Sequence, residues 1–191
     1  MNSQAVFLDK DGTLVRDVPY NVSPGRIELM PFAGEAIHEL SREGYLLIIV
    51  SNQAGVAHGY FEESALSRVR RYLECTFLSY GARLHDFLYC PHHPEAPMEK
   101  YRRDCCCRKP APGLLYEAAE RWGIDLERSW MIGDILNDIE AGNRAGCRTI
   151  LLDTGGEREW VSGDRRTPDF HVNDWRAAAE IILNQRCLLT A

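Results

Sequence analysis

Residues 5–13 read Ala-Val-Phe-Leu-Asp-Lys-Asp-Gly-Thr, which places a short apolar run directly ahead of two carboxylates and a glycine. An apolar run of this length that stops at a turn signal is typical of a strand buried inside a sheet. Ligands of α/β proteins bind at the carboxyl ends of such strands, so we expect Asp9 and Asp11 to face a binding crevice. Solvated acidic turns and calcium loops share part of the pattern, but a calcium loop needs more oxygen ligands nearby. The stretch therefore favours an α/β fold with a chemically active strand end.

The rest of the chain alternates apolar runs with stretches of helical period. Continuous apolar runs bounded by turns predict strands, and apolar residues three and four positions apart predict helices. The predicted order is strand 5–8, helix 34–42, strand 45–50, helix 62–78, strand 87–89, helix 114–122, strand 130–132, helix 138–145, strand 149–152, exposed loop 154–168, strand 170–172 and a closing helix. Repeated strand–helix units predict a doubly wound parallel sheet.

Composition limits the class of protein. A chain of 191 residues with a formal net charge of −6 fits one domain, residues 1–191, with a substantial core. The acidic balance disfavours nucleic acid and anionic membranes as partners, because both attract basic surfaces. No apolar run approaches the roughly 18 residues of a membrane span, so we expect a cytoplasmic protein. We also expect a monomer. In that compartment, seven cysteines favour metal ligands and buried thiols over disulfides.

Polar residues suited to phosphate and a divalent cation follow several predicted strands or precede a predicted helix. In chain order they are Asp9 and Asp11, Ser51 and Asn52, Arg108 and Lys109, and Asp134 with Asp138. A carboxylate nucleophile needs its own charge and that of the phosphate neutralised, which magnesium and a lysine achieve together. Taken singly, Ser51 could be a turn residue, Asp138 a helix cap and Lys109 a solvated charge. Their convergence predicts a site for phosphoryl transfer.

The order of these motifs resembles that of the haloacid dehalogenase (HAD) superfamily of phosphotransferases. The shared elements are Asp-x-Asp-Gly-Thr, a serine or threonine that ends the second strand, a lysine, and Gly-Asp-x-x-x-Asp. The resemblance implies a phosphatase that works through an aspartyl-phosphate. It makes Asp9 the nucleophile, and Asp11 the acid that protonates the leaving alcohol and then activates water.

The same resemblance implies roles for the remaining polar residues. Ser51 and Lys109 would hold the phosphoryl oxygens. Magnesium would be bound by Asp9, by the backbone carbonyl of Asp11 and by Asp134. Asp138 is either a further ligand or, as we favour, a residue that orients the ligands.

A cysteine-rich segment is the second distinctive signal. Residues 90–94 read Cys-Pro-His-His-Pro and residues 105–110 read Cys-Cys-Cys-Arg-Lys-Pro. Three thiolates and one imidazole make a closed tetrahedral zinc site, which would be structural and would stabilise loop 90–107; free thiols with a packed histidine are the alternative. His93 and Cys106 compete as ligands, but adjacent side chains on extended backbone point apart. Cys-x-His and Cys-x-Cys pairs therefore favour Cys90, His92, Cys105 and Cys107.

This loop, with Ser-Asn-Gln-Ala-Gly-Val-Ala-His-Gly at residues 51–59, is similar to one branch of the superfamily. The branch contains heptose bisphosphate phosphatases and histidinol-phosphate phosphatases. The similarity implies removal of the C7 phosphate of D-glycero-D-manno-heptose 1,7-bisphosphate, in heptose supply for lipopolysaccharide. Histidinol phosphate is the alternative substrate, and a catalytically silent zinc-stabilised binding module is the alternative class. Substrate contacts are implied for Asp17, Tyr20, Ser51, Asn52, Gln53, Ala54, Arg108 and Lys109.

The chain departs from that branch at a few positions. Lys10, Ser51 and Ala54 stand where Arg, Thr and Ser are expected, and Ile135 stands where a lysine often follows the metal aspartate. The spacing from Asp9 to Ser51 leaves room for one loop and one helix, so we expect an open site without a large cap domain. Three cysteines have no motif context and are expected to be packed or unreactive: Cys75, Cys147 and Cys187.

Overall fold

A computed structural model of the protein describes residues 3–189, with side chains for residues 3–185. One parallel sheet is formed by β1 Ala5–Leu8, β2 Leu46–Asn52, β3 Leu84–Cys90, β4 Trp130–Gly133, β5 Arg148–Leu152 and β6 Phe170–Val172, in the order β3-β2-β1-β4-β5-β6. The helices are α1 Ala33–Arg42, α2 Ala54–Ala57, α3 Ala65–Ser79, α4 Gly113–Trp122, α5 Leu136–Ala145 and α6 Trp175–Leu189. None of these described helices is both long enough and apolar enough to span a membrane.

Helices cover both faces of the sheet, and the side chains of each strand point alternately to one face and the other. Val6 and Leu8 of β1 pack into a core with α1, α3 and α6, whereas Ala5 and Phe7 point to a second core with α4 and α5. The side chains of β2 are shared between the same two cores, because successive side chains of a strand point to opposite faces of the sheet. Strands buried on both faces are continuous apolar runs, which is why the sequence predicted a doubly wound sheet. That prediction is confirmed.

Strand register gathers the polar strand ends at one edge. Leu8 of β1 pairs with Ile49 of β2 and Ile132 of β4. Asp9 therefore lies level with Val50 and Gly133, which come one residue before Ser51 and Asp134. The backbone N–H of Asp9 donates to the Ile132 carbonyl at 2.9 Å. Residues 9–45 contain a turn, a short 3-10 helix at Pro24–Arg26 and α1, so no cap domain is inserted between β1 and β2.

Tertiary contacts explain where the predicted elements differ from the observed ones. The third strand begins at Leu84 rather than at residue 87, because buried Asp86 accepts hydrogen bonds from Arg121 at 2.6 Å and Trp122 at 3.2 Å. α3 begins at Ala65 rather than at residue 62. Glu63 lies outside it and accepts hydrogen bonds from the Tyr89 and Tyr101 hydroxyls. The four-residue α2 is too short for its periodicity to be seen in the sequence.

Candidate active site and metal cluster

Lys109 lies at the centre of the crevice that the strand ends form. Its ammonium group is 2.5 Å from Asp9 Oδ1 and 2.6 Å from Asp138 Oδ1, and it donates to the Val50 carbonyl at 2.8 Å. Burial alone would lower the pKa of Lys109, but the charges of Asp138 and Asp9 outweigh it and raise that pKa. Two of the three N–H donors of Lys109 are hydrogen-bonded, to Asp9 and to Val50, and Asp138 forms an ion pair with it. Lys109 is therefore a fixed positive charge beside Asp9.

Three buried carboxylates surround this lysine. Oxygens of Asp9, Asp134 and Asp138 all lie within 4.8 Å of one another. Burial raises the pKa of Asp9, against the opposing charge of Lys109, and burial with the Asp138 charge raises the pKa of Asp134 to about 7. One lysine does not balance three buried acids. A divalent cation with a preference for oxygen ligands fits both the donor set and the excess negative charge.

Close packing holds Asp134 in place. Thr13 Oγ1 donates to Asp134 Oδ1 at 2.9 Å, and the Thr13 carbonyl accepts from Trp175 Nε1 at 2.8 Å. A Cβ atom built on Gly12 would lie 2.2 Å from Asp134 Oδ2, and one on Gly156 would lie 1.9 Å from the same oxygen. Gly12 also has a φ of +85°, which favours glycine on its own. Neither Thr13 nor Gly156 had a role that was predicted from the sequence.

Asp11 occupies a different environment from Asp9. Its carboxylate contacts the ammonium group of Lys10 and accepts a hydrogen bond from Gln53 Nε2 at 3.1 Å. The same Gln53 group donates to Ser51 Oγ at 2.8 Å. Asp11 is partly exposed while Asp9 is buried, so Asp11 can exchange protons with solvent and Asp9 is shielded from it. Lys10, which the sequence marked only as a departure, is a partner of Asp11.

Asn52 is held by the backbone of Lys109. Its side-chain Nδ2 donates to the Lys109 carbonyl at 3.0 Å, and its Oδ1 accepts from the Lys109 backbone N–H at 3.0 Å. Both polar groups of the Asn52 side chain are therefore engaged within the protein. Asn52 also lines the cleft, so the substrate contact that the resemblance implied stays a prediction, and the geometry adds a role in fixing Lys109.

The remaining implied substrate residues line connected depressions around the strand ends. A cleft of about 800 Å³ is lined by Asp9, Asp11, Ser51, Asn52, Lys109, Asp134 and Asp138, together with Asp17 and Ile135. A smaller one of about 290 Å³ shares Asp11, Asp17 and Asn52 with it and adds Tyr20, Gln53 and Ala54. Arg108 lines a third depression with Lys109, and its guanidinium donates to the His92 carbonyl at 3.2 Å.

Two side chains at this edge, Tyr60 and Arg158, carried no signal in the sequence. The large cleft is also lined by Arg16 and Arg158. Tyr20 contacts the ring of Tyr60, with centroids 4.5 Å apart, and the ring of His58, with centroids 6.4 Å apart. These residues come from separate loops, and only the fold brings them together.

A cluster of sulfur and nitrogen atoms joins the end of β3 to the segment before α4. Cys107 Sγ lies 3.1 Å from Cys90 Sγ and 3.3 Å from Cys105 Sγ. His92 directs Nδ1 toward the cluster, 3.6 Å from Cys90 Sγ and 3.5 Å from Cys107 Sγ. The four predicted zinc ligands are thus gathered at one point.

The competing side chains are placed elsewhere. Cys106 is exposed, and the His93 ring packs against His58 with centroids 5.0 Å apart. Burial raises the pKa of Cys90 and raises that of Cys107 to about 11. Three sulfur atoms and one imidazole nitrogen form a donor set that suits zinc.

The other cysteines lie apart from this cluster. Cys147 is buried, and burial raises its pKa to about 12. A buried thiol with a raised pKa is typical of a packed, unreactive cysteine, because the thiolate is the reactive form. Cys75 is exposed on α3. The side chain of Cys187 lies outside the described residues.

The known proteins most relevant to this site are phosphatases of similar sequence. A HAD-hydrolase-like family model matches residues 106–178. The chain is 40% identical over 152 residues to a D-glycero-beta-D-manno-heptose-1,7-bisphosphate 7-phosphatase from Photorhabdus laumondii, covering 79% of this chain and 81% of that protein. An Escherichia coli protein of the same name is 36% identical over 152 residues, with coverage of 79% and 80%.

A solved structure agrees with these relatives. The D,D-heptose 1,7-bisphosphate phosphatase from B. bronchiseptica, complexed with magnesium and phosphate, superposes with a TM-score of 0.82 at 28% identity. The match covers 96% of this chain and 99% of that one. The chain therefore belongs to the HAD phosphatases, in the same family as the D-glycero-beta-D-manno-heptose-1,7-bisphosphate 7-phosphatases.

Proposed function

We propose that the protein removes the C7 phosphate of D-glycero-D-manno-heptose 1,7-bisphosphate through an aspartyl-phosphate on Asp9. The observation that carries this proposal is the placement of Asp9 beside the fixed ammonium group of Lys109, with Asp11 at the mouth of the same cleft. The names of the relatives supply the substrate.

In the first step, an Asp9 carboxylate oxygen attacks phosphorus and the bond from phosphorus to the C7 oxygen breaks. Asp11 transfers its proton to that oxygen, so the sugar leaves as an alcohol. Lys109 opposes the effect of burial on the pKa of Asp9 and so favours its ionised form. Lys109 also offsets charge on the phosphoryl oxygens, and the Ser51 hydroxyl donates to one of them. The hydrogen bond from Gln53 and the contact with Lys10 orient Asp11 for this transfer.

In the second step, Asp11 accepts a proton from a water molecule as the water oxygen attacks phosphorus. The bond between phosphorus and Asp9 breaks, which releases inorganic phosphate and restores the free carboxylate. Asp11 is again protonated and ready for the next substrate. An acid at the rim can exchange protons with solvent and with the leaving group, whereas a buried nucleophile is protected from solvent.

Asp9, Asp134 and the backbone carbonyl of Asp11 would hold magnesium, with Asp138 orienting Lys109 and the ligands. When bound, magnesium supplies positive charge beside the phosphoryl oxygens. The mutual proximity of the buried carboxylates and the raised pKa of Asp134 support this assignment. Asp138 also accepts a hydrogen bond from the Ile135 backbone N–H at 3.4 Å, so it caps α5 as well.

We propose that Cys90, His92, Cys105 and Cys107 bind a structural zinc ion. Such a set has no open coordination position, and it would tie loop 90–107 to the strand that precedes it. Arg108 directly follows one proposed ligand and Lys109 follows Arg108. The zinc ion would therefore stabilise the segment that carries both cationic side chains.

Purified protein that has never met a chelator is expected to contain about one zinc ion per chain. Cys105→Ser and Cys107→Ser should lose the metal, because serine does not replace a thiolate ligand. Cys106→Ser is the matched control and should keep it, since its side chain is exposed away from the cluster. Elemental analysis of all four proteins measures this. Metal loss in Cys106→Ser alone would show that the cysteines have been paired wrongly.

The proposed substrate is tested by phosphate release from a panel of compounds. Both anomers of heptose 1,7-bisphosphate, heptose 7-phosphate and histidinol phosphate are compared by kcat/KM with magnesium present. We expect a heptose bisphosphate to be preferred. A clear preference for histidinol phosphate would replace the substrate while leaving the HAD mechanism intact. We further propose a cytoplasmic monomer, for which sedimentation would give the mass of one chain.

A further inference from the structure

Arg158 is an unused positive charge at the rim of the catalytic cleft. Of the cationic side chains that line it, Lys109 is paired with Asp9 and Asp138, and Arg16 lies 3.4 Å from Glu28. Among the side chains that the structure describes, Arg158 has no hydrogen bond and no ion pair. Its charge is free for an anionic ligand.

Glu157 fixes the backbone that carries this arginine. Its carboxylate accepts hydrogen bonds from the backbone N–H groups of Leu136 at 2.7 Å and Glu159 at 2.9 Å. Backbone N–H groups of Arg158 and Trp160 also face it, and together these bonds lower the pKa of Glu157 against the effect of burial. Leu136 is the first residue of α5, and the N-terminus of a helix favours negative charge.

The residue before Glu157 is constrained as well. Gly156 packs so closely on the Asp134 carboxylate that a Cβ atom there would lie 1.9 Å from it. The turn that presents Arg158 is thus attached both to a proposed metal ligand and to the N-terminus of α5. A side chain presented from such a fixed turn loses less conformational freedom when it binds a ligand.

A sugar bisphosphate carries a second phosphate that the catalytic groups do not neutralise. Each phosphate monoester has a charge of about −1.5 to −2 at neutral pH. Lys109 and the proposed magnesium act on the phosphate that is cleaved. An arginine binds a phosphate through two parallel N–H donors, which suits the one that is retained.

We infer that Arg158 binds the phosphate that remains on the sugar, and that Glu157 positions it. The inference rests on the proposed function, because it assumes a substrate with two phosphates. It assigns to loop 153–169 a part in choosing bisphosphates over monophosphates. The zinc-loop residue Arg108 would then be left to contact the sugar.

The test compares matched pairs of di- and monophosphates. For each protein, kcat/KM is measured for heptose 1,7-bisphosphate against heptose 7-phosphate, and for fructose 1,6-bisphosphate against fructose 6-phosphate. Arg158→Ala should lower the ratio of bisphosphate to monophosphate by about 10- to 100-fold, the effect of one charged hydrogen-bonding group. Arg165→Ala is the matched control, because Arg165 is exposed in the same loop and does not line the cleft.

Two further variants separate binding from folding. Arg158→Lys should recover part of the ratio, since it keeps the charge and loses the paired donors. Glu157→Gln should raise KM for the bisphosphates more than it lowers kcat, because it loosens the turn that presents Arg158. A kcat loss shared equally by every substrate would instead show that Glu157 supports only the fold.

An unchanged ratio in Arg158→Ala would overturn the inference. So would a ratio that falls in Arg108→Ala but not in Arg158→Ala, because the retained phosphate would then belong to Arg108. The fructose pair distinguishes these outcomes whichever sugar is native. A wild-type preference for histidinol phosphate over the heptose bisphosphates rejects the proposed substrate separately.

Discussion

Asp9→Asn is expected to abolish phosphate release while the protein remains folded. The amide is not a nucleophile, and it is a weaker magnesium ligand than the carboxylate. Removal of the nucleophile from a covalent mechanism costs on the order of 10⁴–10⁶-fold in kcat. Asparagine has nearly the same shape as aspartate, and Lys109 keeps its contact with Asp138 at 2.6 Å, so the buried ammonium group is not left unpaired.

The measurement is kcat on an aryl phosphate and on the bisphosphate, with thermal unfolding recorded for each protein. Asp164→Asn makes the same chemical change at an exposed aspartate of loop 153–169 and should match wild type. Rapid acid quenching with labelled substrate should trap label on wild type and not on Asp9→Asn. Turnover near the wild-type rate in Asp9→Asn would exclude Asp9 as the nucleophile.

Asp11→Asn is expected to lower kcat by about 10²–10⁴-fold, the range for loss of a general acid–base. The variant can neither protonate the leaving oxygen nor take a proton from water. Aryl phosphates whose leaving groups differ in pKa separate the two roles. Good leaving groups need no proton, so Asp11→Asn should still form the phosphoenzyme from them and then stall.

A burst of phenol followed by slow turnover is therefore expected from Asp11→Asn with an activated aryl phosphate. The same substrate with wild type should give steady release. A kcat within a few-fold of wild type on alkyl phosphates would reassign the acid–base role. Asp164→Asn again controls for the loss of an acidic side chain.

Features that depend on local sequence could be predicted from the chain. The acids Asp9 and Asp11 directly follow β1 in the chain, so the pattern of residues 5–13 predicted both the strand and the binding crevice at its end. The four clustered zinc-ligand candidates followed from the alternation of side chains on extended backbone. The ion pairs of Lys109 with Asp9 and Asp138 join residues that are far apart in the chain. They could still be anticipated, because all three residues belong to motifs of the family that the chain resembles.

Features that depend on tertiary packing could not be predicted. Glu157 looks like one more charge in a polar loop, and only the fold places it at the N-terminus of α5. Nothing in the local sequence around Asn52 shows that its amide is hydrogen-bonded to the Lys109 backbone. The contact of Lys10 with Asp11 could not be predicted either. Adjacent side chains point apart in a strand, but these two residues lie in a turn, where their side chains meet.

The paired hydrogen bonds between Asn52 and Lys109 have a consequence for how this protein can change over evolution. They join the end of β2 to the residue that enters the crevice before α4, independently of the chain between them. Residues 93–104, which contain none of the proposed zinc ligands, thus form an excursion whose replacement need not move Lys109. Related enzymes could acquire new substrates by exchanging that excursion, and a designer could graft a different recognition loop there while leaving the Asn52–Lys109 connection untouched.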